Sequence, residues 1–200
     1  MDLTIKYQPK SFEEVILPPE LRKKLSTCFC EKLPFPFLFT GRSGVGKTLV
    51  AQLVRKEKYF LSCLNGCSEL DMKHLESSIS AVSLSGERRL VILDDVDHMS
   101  PNSQLHLKFI LDRFMVNNDF LLTAIEPFRL KETIRSRIQV IDFEYVKSNE
   151  FTKSIFEWLN KICQKEGFEA IDPVEIMSVI ATSYPDMRKM LRTIQSNFML

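Results

Sequence analysis

Apolar residues in this 200-residue chain fall into two patterns, short unbroken runs and helically spaced stripes. The runs at 35–40, 59–64, 89–93, 120–124 and 138–143 lack polar alternation, which predicts strands buried on both faces. Between them, 45–56, 70–82, 101–114 and 130–135 place apolar residues three and four apart, which predicts helices. Strands alternating with helices imply a doubly wound α/β domain, a parallel five-stranded sheet with helices on both faces. Beyond Glu144 only helical spacing continues, over 151–164, 172–183 and 185–197. Pro173 and Pro185 suit first-turn positions, where a missing N–H costs no bond. The expected organisation is an α/β domain over 1–146 and a small all-α domain over 147–200, with no internal repeat.

Composition narrows the class. With 44% hydrophobic and 26% charged residues and a formal net charge of +1, the chain is expected to fold and not to be disordered. Net charge gives no argument for nucleic acid, so any basic surface has to be local. No run reaches the length of a membrane span, and residues 1–10 mix Asp2, Lys6 and Lys10 where a secretory signal would be apolar. Five unevenly placed cysteines, Cys28, Cys30, Cys63, Cys67 and Cys163, argue for a reducing compartment, so a cytoplasmic chain is expected. Cys28 and Cys30 lie two apart in a stretch that reads as helix and would point to different faces, which argues against a four-thiolate zinc site with Cys63 and Cys67.

The chemistry begins at Gly41-Arg-Ser43-Gly44-Val45-Gly46-Lys47-Thr48, which fits G-x-x-x-x-G-K-[ST] with a strand before it and a helix after it. Glycines at these positions let backbone N–H groups approach phosphates, Lys47 supplies a mobile positive charge, and Thr48 offers a hydroxyl to Mg²⁺. A merely structural turn would not require Lys47-Thr48. Downstream, the apolar run 90–93 ends in Asp94-Asp95, at the strand end where a nucleotide-binding sheet places a further carboxylate for the metal. Together the two segments imply nucleotide binding with Mg²⁺, with Asp94 on the metal side.

Four more segments, in order, resemble the AAA+ subunits of DNA sliding-clamp loaders, especially replication factor C small subunits and those of large tailed phages. They are Lys6-Tyr7-Gln8-Pro9, continuing to Val15-Ile16-Leu17-Pro18; Asn65-Gly66-Cys67-Ser68; Ser136-Arg137-Ile138; and Tyr184-Pro185-Asp186-Met187-Arg188-Lys189. The resemblance covers Lys6 to Gln195. It implies a P-loop AAA+ domain followed by a helical lid, with ATP and Mg²⁺ as cofactors. Tyr7, Pro9, Val15 and Ile16 would fold over the adenine. Gly41, Ser43 to Thr48 and Leu49 would cradle the phosphates, and Arg188 would touch the γ-phosphate of the same chain's nucleotide. Arg137 would act in trans on a neighbouring subunit's ATP, and Arg129 matches a lysine that grips DNA phosphates. The helix over 101–114, with Gln104, Leu107, Lys108 and Asp112, resembles a subunit-contact helix whose exposed face would meet a neighbour. Lys73 and Lys108 are further DNA-contact candidates.

The implied partners are other loader subunits, the sliding clamp and primer-template DNA, in the cytoplasm, the host's if the chain is phage-encoded. The family continues into a helical collar domain, so the stop at Leu200 implies either a member without a collar or a shortened form. Gln8 replaces an arginine in the adenine segment, and two departures bear on turnover: Asp95 stands where the family has the glutamate that polarises water, and Ile125 stands where it has asparagine, with Thr123 or Glu126 as the neighbours that would have to substitute. Displacing a catalytic group by ~1 Å costs on the order of a hundredfold in rate, and Ile125 cannot hydrogen-bond through its side chain. The expectation is therefore an ATP-binding loader subunit with slow hydrolysis. The alternatives are a non-hydrolysing scaffold that donates Arg137, or another AAA+ DNA-remodelling ATPase such as an origin-binding or Holliday-junction motor.

Overall fold

The computed structural model describes residues 2–30, 32–80, 88–144, 148–167 and 171–198. The expected domain boundary at 146/147 and the end of the helix expected over 70–82 lie outside the described residues. The chain divides into two compact units, one of Lys23–Gly41 and Lys47–Phe143, the other of Met1–Arg22, Arg42–Gly46 and Glu144–Leu200.

The first unit is built on five parallel strands, β1 (Phe37–Thr40), β2 (Lys58–Ser62), β3 (Arg89–Asp94), β4 (Asn118–Ala124) and β5 (Gln139–Asp142), in the order β2-β3-β4-β1-β5. The register sets Leu38 beside both Leu122 and Val140, and Leu93 beside Leu122. Interior strands are buried throughout, as their apolar runs predict. The outer strands depart from that expectation: Phe60 and Val140 are half exposed, because an edge strand has a neighbour on one side only. Alternate residues of β1, β3 and β4 divide between the two faces. Leu38, Val91, Leu93, Phe120 and Leu122 pack with Met72, Leu75 and Ile79 of α4 (Glu69–Ser80) and with Leu107, Ile110 and Leu111 of α5 (Pro101–Phe114).

Local chemistry starts these helices. Ser68 and Asp71 exchange bonds at the start of α4, a capping arrangement. Ser100 accepts the Ser103 N–H ahead of Pro101, so α5 begins where a cap and a first-turn proline coincide. The helix expected over 45–56 is only α3 (Lys47–Leu53), and Gly46 at φ 99°, outside helical space, sets its start.

In the second unit α1 (Leu3–Lys6), α7 (Asn149–Lys165), α8 (Pro173–Ser183) and α9 (Met187–Phe198) share a core of Leu3, Phe151, Ile155, Leu159, Ile176, Ile180, Met190, Leu191 and Ile194. Four-residue α1 is too short to persist alone. Full burial of Leu3, which stabilises by about 2 kcal/mol, and a 3.0 Å bond from its N–H to Gln195 Oε1 hold it in place. Pro185 is not inside the last helix as expected. It precedes Asp186, whose carboxylate caps α9 by accepting the Lys189 N–H at 2.8 Å. Helices α2 (Pro19–Ser26) and α6 (Glu132–Arg135) complete the α-helices of the described residues. Helix α2 ends before Cys28 and Cys30, so those cysteines are in a turn and bend and not in the helix expected there; Cys28 is buried and Cys30 exposed. Among the described residues no helix is long and apolar enough to cross a membrane.

Candidate nucleotide site

In the sheet unit the motif residues converge on the ends of β1, β3 and β4. Lys47 is almost wholly buried, and its ammonium donates to the Gly41 carbonyl at 2.7 Å. Thr48 Oγ1 donates to Asp94 Oδ1 at 2.7 Å. These two residues are 46 positions apart in sequence, and parallel pairing of the strands is what joins them. A hydroxyl and a carboxylate converging in this way form an all-oxygen donor set, the chemistry that Mg²⁺ favours, and so the residues present fit that ion. A Cβ built at Gly46 would meet nothing within 4 Å among the described residues, so the backbone there is open to an approaching group.

Asp95 follows with φ 56° and ψ 47°, the left-handed region that aspartate enters more readily than most residues. Burial, together with the charges of Asp94 and Asp97, pushes its carboxyl above the usual range, and Lys47 opposes that shift. Thr123, fully buried on β4, donates to Asp94 Oδ1 at 2.6 Å and accepts the Asp95 N–H at 2.9 Å. Ile125 is partly exposed, and its N–H and that of Glu126 both donate to Asp97 Oδ2, at 3.1 and 2.8 Å. Asp97 thus shapes the end of β4 although the Ile125 side chain has nothing to offer a polar ligand. Its Oδ1 is buried and has no partner among the described residues.

The helical unit contains the rest of the loop. The Arg188 guanidinium donates to Ser43 Oγ at 3.3 Å, and the Met187 N–H to the Gly44 carbonyl at 3.2 Å. Gly44 has φ 78°, and a Cβ there would stand 1.9 Å from Asp186 Oδ1. Because Asp186 is committed to capping α9, it cannot swing away without losing a cap that contributes about 1 kcal/mol. Gly44→Ala is therefore expected to destabilise the chain by about 1 kcal/mol more than Gly46→Ala, where only the positive φ is at stake. Urea unfolding of the two variants checks this.

Tyr7 donates its hydroxyl to Glu166, which also pairs with Lys6 at 2.6 Å; burial and then that carboxylate push the phenol up to about 12. Val15 is buried, its carbonyl accepts from Arg22, and Ile16 packs on the helical core. Pro9 is partly exposed next to this segment, as is Leu49 within α3.

Residues expected to act outside the pocket are all held within the chain. Arg137 forks onto Asp112, with Nη2 to Oδ2 at 3.1 Å, and also donates to the Thr133 carbonyl. Arg129 pairs with Glu126, Lys73 with Glu69 at 2.7 Å and Lys108 with Asp112 at 3.7 Å. On α5 the expected contact face is only partly available. Gln104 and Leu107 are buried, and Gln104 bonds the carbonyls of Met99 and Arg129 and the Lys131 N–H, while Leu105 and Phe109 are the exposed apolar residues.

The model of the DNA polymerase III, delta subunit family matches residues 65–147. The sliding-clamp-loader large subunit of Escherichia phage RB69 is 26% identical over 193 residues, covering 92% of this chain and 60% of the relative. The replication factor C small subunit of Thermofilum pendens is 29% identical over 202 residues, covering 96% and 61%. The chain is a homologue of sliding-clamp-loader subunits. The chain spans about three-fifths of the length of these relatives. Structures of Thermotoga maritima RuvB, one of them titled as a Holliday junction branch migration motor, match with a TM-score of 0.71 to 0.72 at 18% identity, covering 95 to 96% of this chain and 64 to 65% of theirs. That likeness shows a shared fold.

Motif spacing gave no sign of Asp97, and it placed Thr123, Asp112 and Asp186 in recognisable segments without showing what each of them holds. Thr123, Asp97 and Asp112 act through partners 25 or more residues away, Asp186 stands against Gly44 from a distant part of the sequence, and the local hint was Thr123 as a polar residue inside an apolar run.

Proposed function

We propose that this chain is an ATP-binding subunit of a DNA sliding-clamp loader, and that ATP binding and hydrolysis drive the placement of a ring clamp on primed DNA. The observation that carries the reading is the junction of Lys47, Thr48 and Asp94 at the sheet's strand ends, in a chain whose relatives bear that name. Lys47 would meet the terminal phosphates, Thr48 and Asp94 would hold Mg²⁺, and the remaining loop residues with Leu49 would line the phosphates. Tyr7, Pro9, Val15 and Ile16 would close over the base, and Arg188 would reach the γ-phosphate, with 147–200 as the lid. Bound Mg²⁺ would offset phosphate charge. Asp95 would polarise the attacking water. Arg137 would serve a neighbouring subunit and Arg129 the DNA backbone. The partners proposed are other loader subunits, clamp and primer-template DNA, in the cytoplasm.

The test measures nucleotide binding by the purified chain, and turnover with loader partners, clamp and primed DNA, beside Asp95→Glu. Binding with turnover stimulated by clamp and DNA is expected, and absence of nucleotide binding defeats the reading. A second reading, a subunit that holds ATP without hydrolysing it and lends Arg137, is favoured by the apolar Ile125 at the end of β4. It predicts binding without turnover in the assembly, with turnover appearing in Asp95→Glu.

A further inference from the structure

We infer that Thr123 is a positioning residue for the metal: its one hydroxyl ties the Asp94 carboxylate to the Asp95 backbone and so sets the affinity for magnesium-bound nucleotide. This rests on the nucleotide-binding reading above.

Thr123 is the one polar residue in the stretch Phe120–Ala124, and it is fully buried. A hydroxyl in such a place is costly unless bonded, and valine has the same shape and an equal liking for strands. The hydroxyl is in fact used in both directions. An N–H can only donate, so the Asp95 N–H at 2.9 Å takes a lone pair of Thr123 and leaves its single proton for Asp94 Oδ1 at 2.6 Å. The same Oδ1 receives the Thr48 hydroxyl at 2.7 Å. One carboxylate oxygen is thus oriented from both sides, by the residue that would bind the cation and by one that would not touch it.

The backbone end of the relay is equally constrained. Asp95 is left-handed, a conformation unfavourable for a residue with a side chain, and is held there by its bond to Thr123 and by the His98 N–H donating to its carbonyl at 3.1 Å. Linked hydrogen bonds polarise one another in a poorly solvated site. A cation placed at Asp94 therefore meets a carboxylate whose orientation this chain has already fixed. Partners of this kind behind a metal ligand characteristically change metal affinity 10- to 100-fold when removed.

The experiment compares wild type, Thr123→Val and Thr123→Ser by titrating MgCl₂ into protein with mant-ATP, with a parallel mant-ATP titration in EDTA and thermal unfolding of each protein. Thr123→Val is expected to raise the half-saturating Mg²⁺ concentration about tenfold while leaving mant-ATP affinity in EDTA within about twofold; Thr123→Ser, which keeps the hydroxyl, is expected to restore the wild-type Mg²⁺ dependence. A folded Thr123→Val with wild-type Mg²⁺ dependence overturns the inference and leaves nucleotide binding standing. Wild type that fails to bind mant-ATP in either buffer overturns both. Should Thr123→Val not fold, Thr123→Cys takes its place, since a thiol donates only weakly; a Mg²⁺ shift is expected in Cys but not in Ser, and equal dependence in the two overturns the inference.

Discussion

Lys47→Ala is expected to raise the nucleotide dissociation constant at least ~100-fold and to reduce turnover to background. The ammonium is almost wholly buried and donates to Gly41 O at 2.7 Å, so the side chain is already confined to the loop and needs little further ordering to meet a phosphate. An ammonium has three donors, and each charge-assisted bond to a phosphate oxygen contributes about 1.5–3 kcal/mol. Losing two of them removes at least ~3 kcal/mol, about two factors of ten. Calorimetric titration with ATP checks the affinity, and circular dichroism checks that the fold survives. Lys47→Arg is expected to rescue little, because a guanidinium is broader and a burial this complete leaves no room for it. Unchanged ATP affinity in a folded Lys47→Ala protein would remove the basis for the phosphate-loop reading.

Arg137→Ala is expected to behave in the opposite way. ATP binding by the chain itself stays the same, while turnover in an assembled loader falls on the order of a thousandfold at the site that receives this arginine. An arginine delivered to a transferring phosphoryl group accounts for ~10³–10⁵ in rate in phosphate-loop enzymes. In the isolated chain the guanidinium forks onto Asp112 and donates to Thr133 O. That pair is open to solvent, and the attraction of an exposed pair is strongly screened. A fork onto a terminal phosphate inside a closed interface is much the stronger of the two, so Asp112 orients the arginine without withholding it. Arg137→Lys is expected to recover little activity, since an ammonium cannot make the planar two-point contact. Single-turnover measurements on loaders assembled with wild-type or variant chain check the rate, and direct titration checks the unchanged binding. An assembly that hydrolyses ATP at the normal rate with Arg137→Ala would place this residue outside catalysis.

Where the amino-acid order acts over a few residues, it was decisive. Unbroken apolar runs specified the interior strands, 3.6-residue spacing specified α5, α7 and α8, and the loop from Gly41 to Thr48 carries the proposed phosphate chemistry in glycines followed by Lys-Thr. Burial of β2 and β5 was not legible in the same way, because an apolar run reads alike whether its strand is central or at an edge. Strand order, set by pairing between residues far apart, makes that difference. The start of α3 turned on the φ of one glycine, and the short α1 on a core made by α7, α8 and α9.

Asp94 and Thr48 were recognisable separately, but their 2.7 Å contact, the Thr123 hydroxyl between Asp94 and Asp95, and the grip of Asp97 on the end of β4 exist only once β1, β3 and β4 lie side by side. The sequence by itself determined the fold class and supplied the grounds for the proposed phosphate chemistry, since both are read from local periodicity and from residue types at fixed spacing. Only the tertiary structure decided which buried polar groups orient that chemistry, because a hydrogen-bond partner is chosen by proximity in space and leaves no mark on the spacing along the chain.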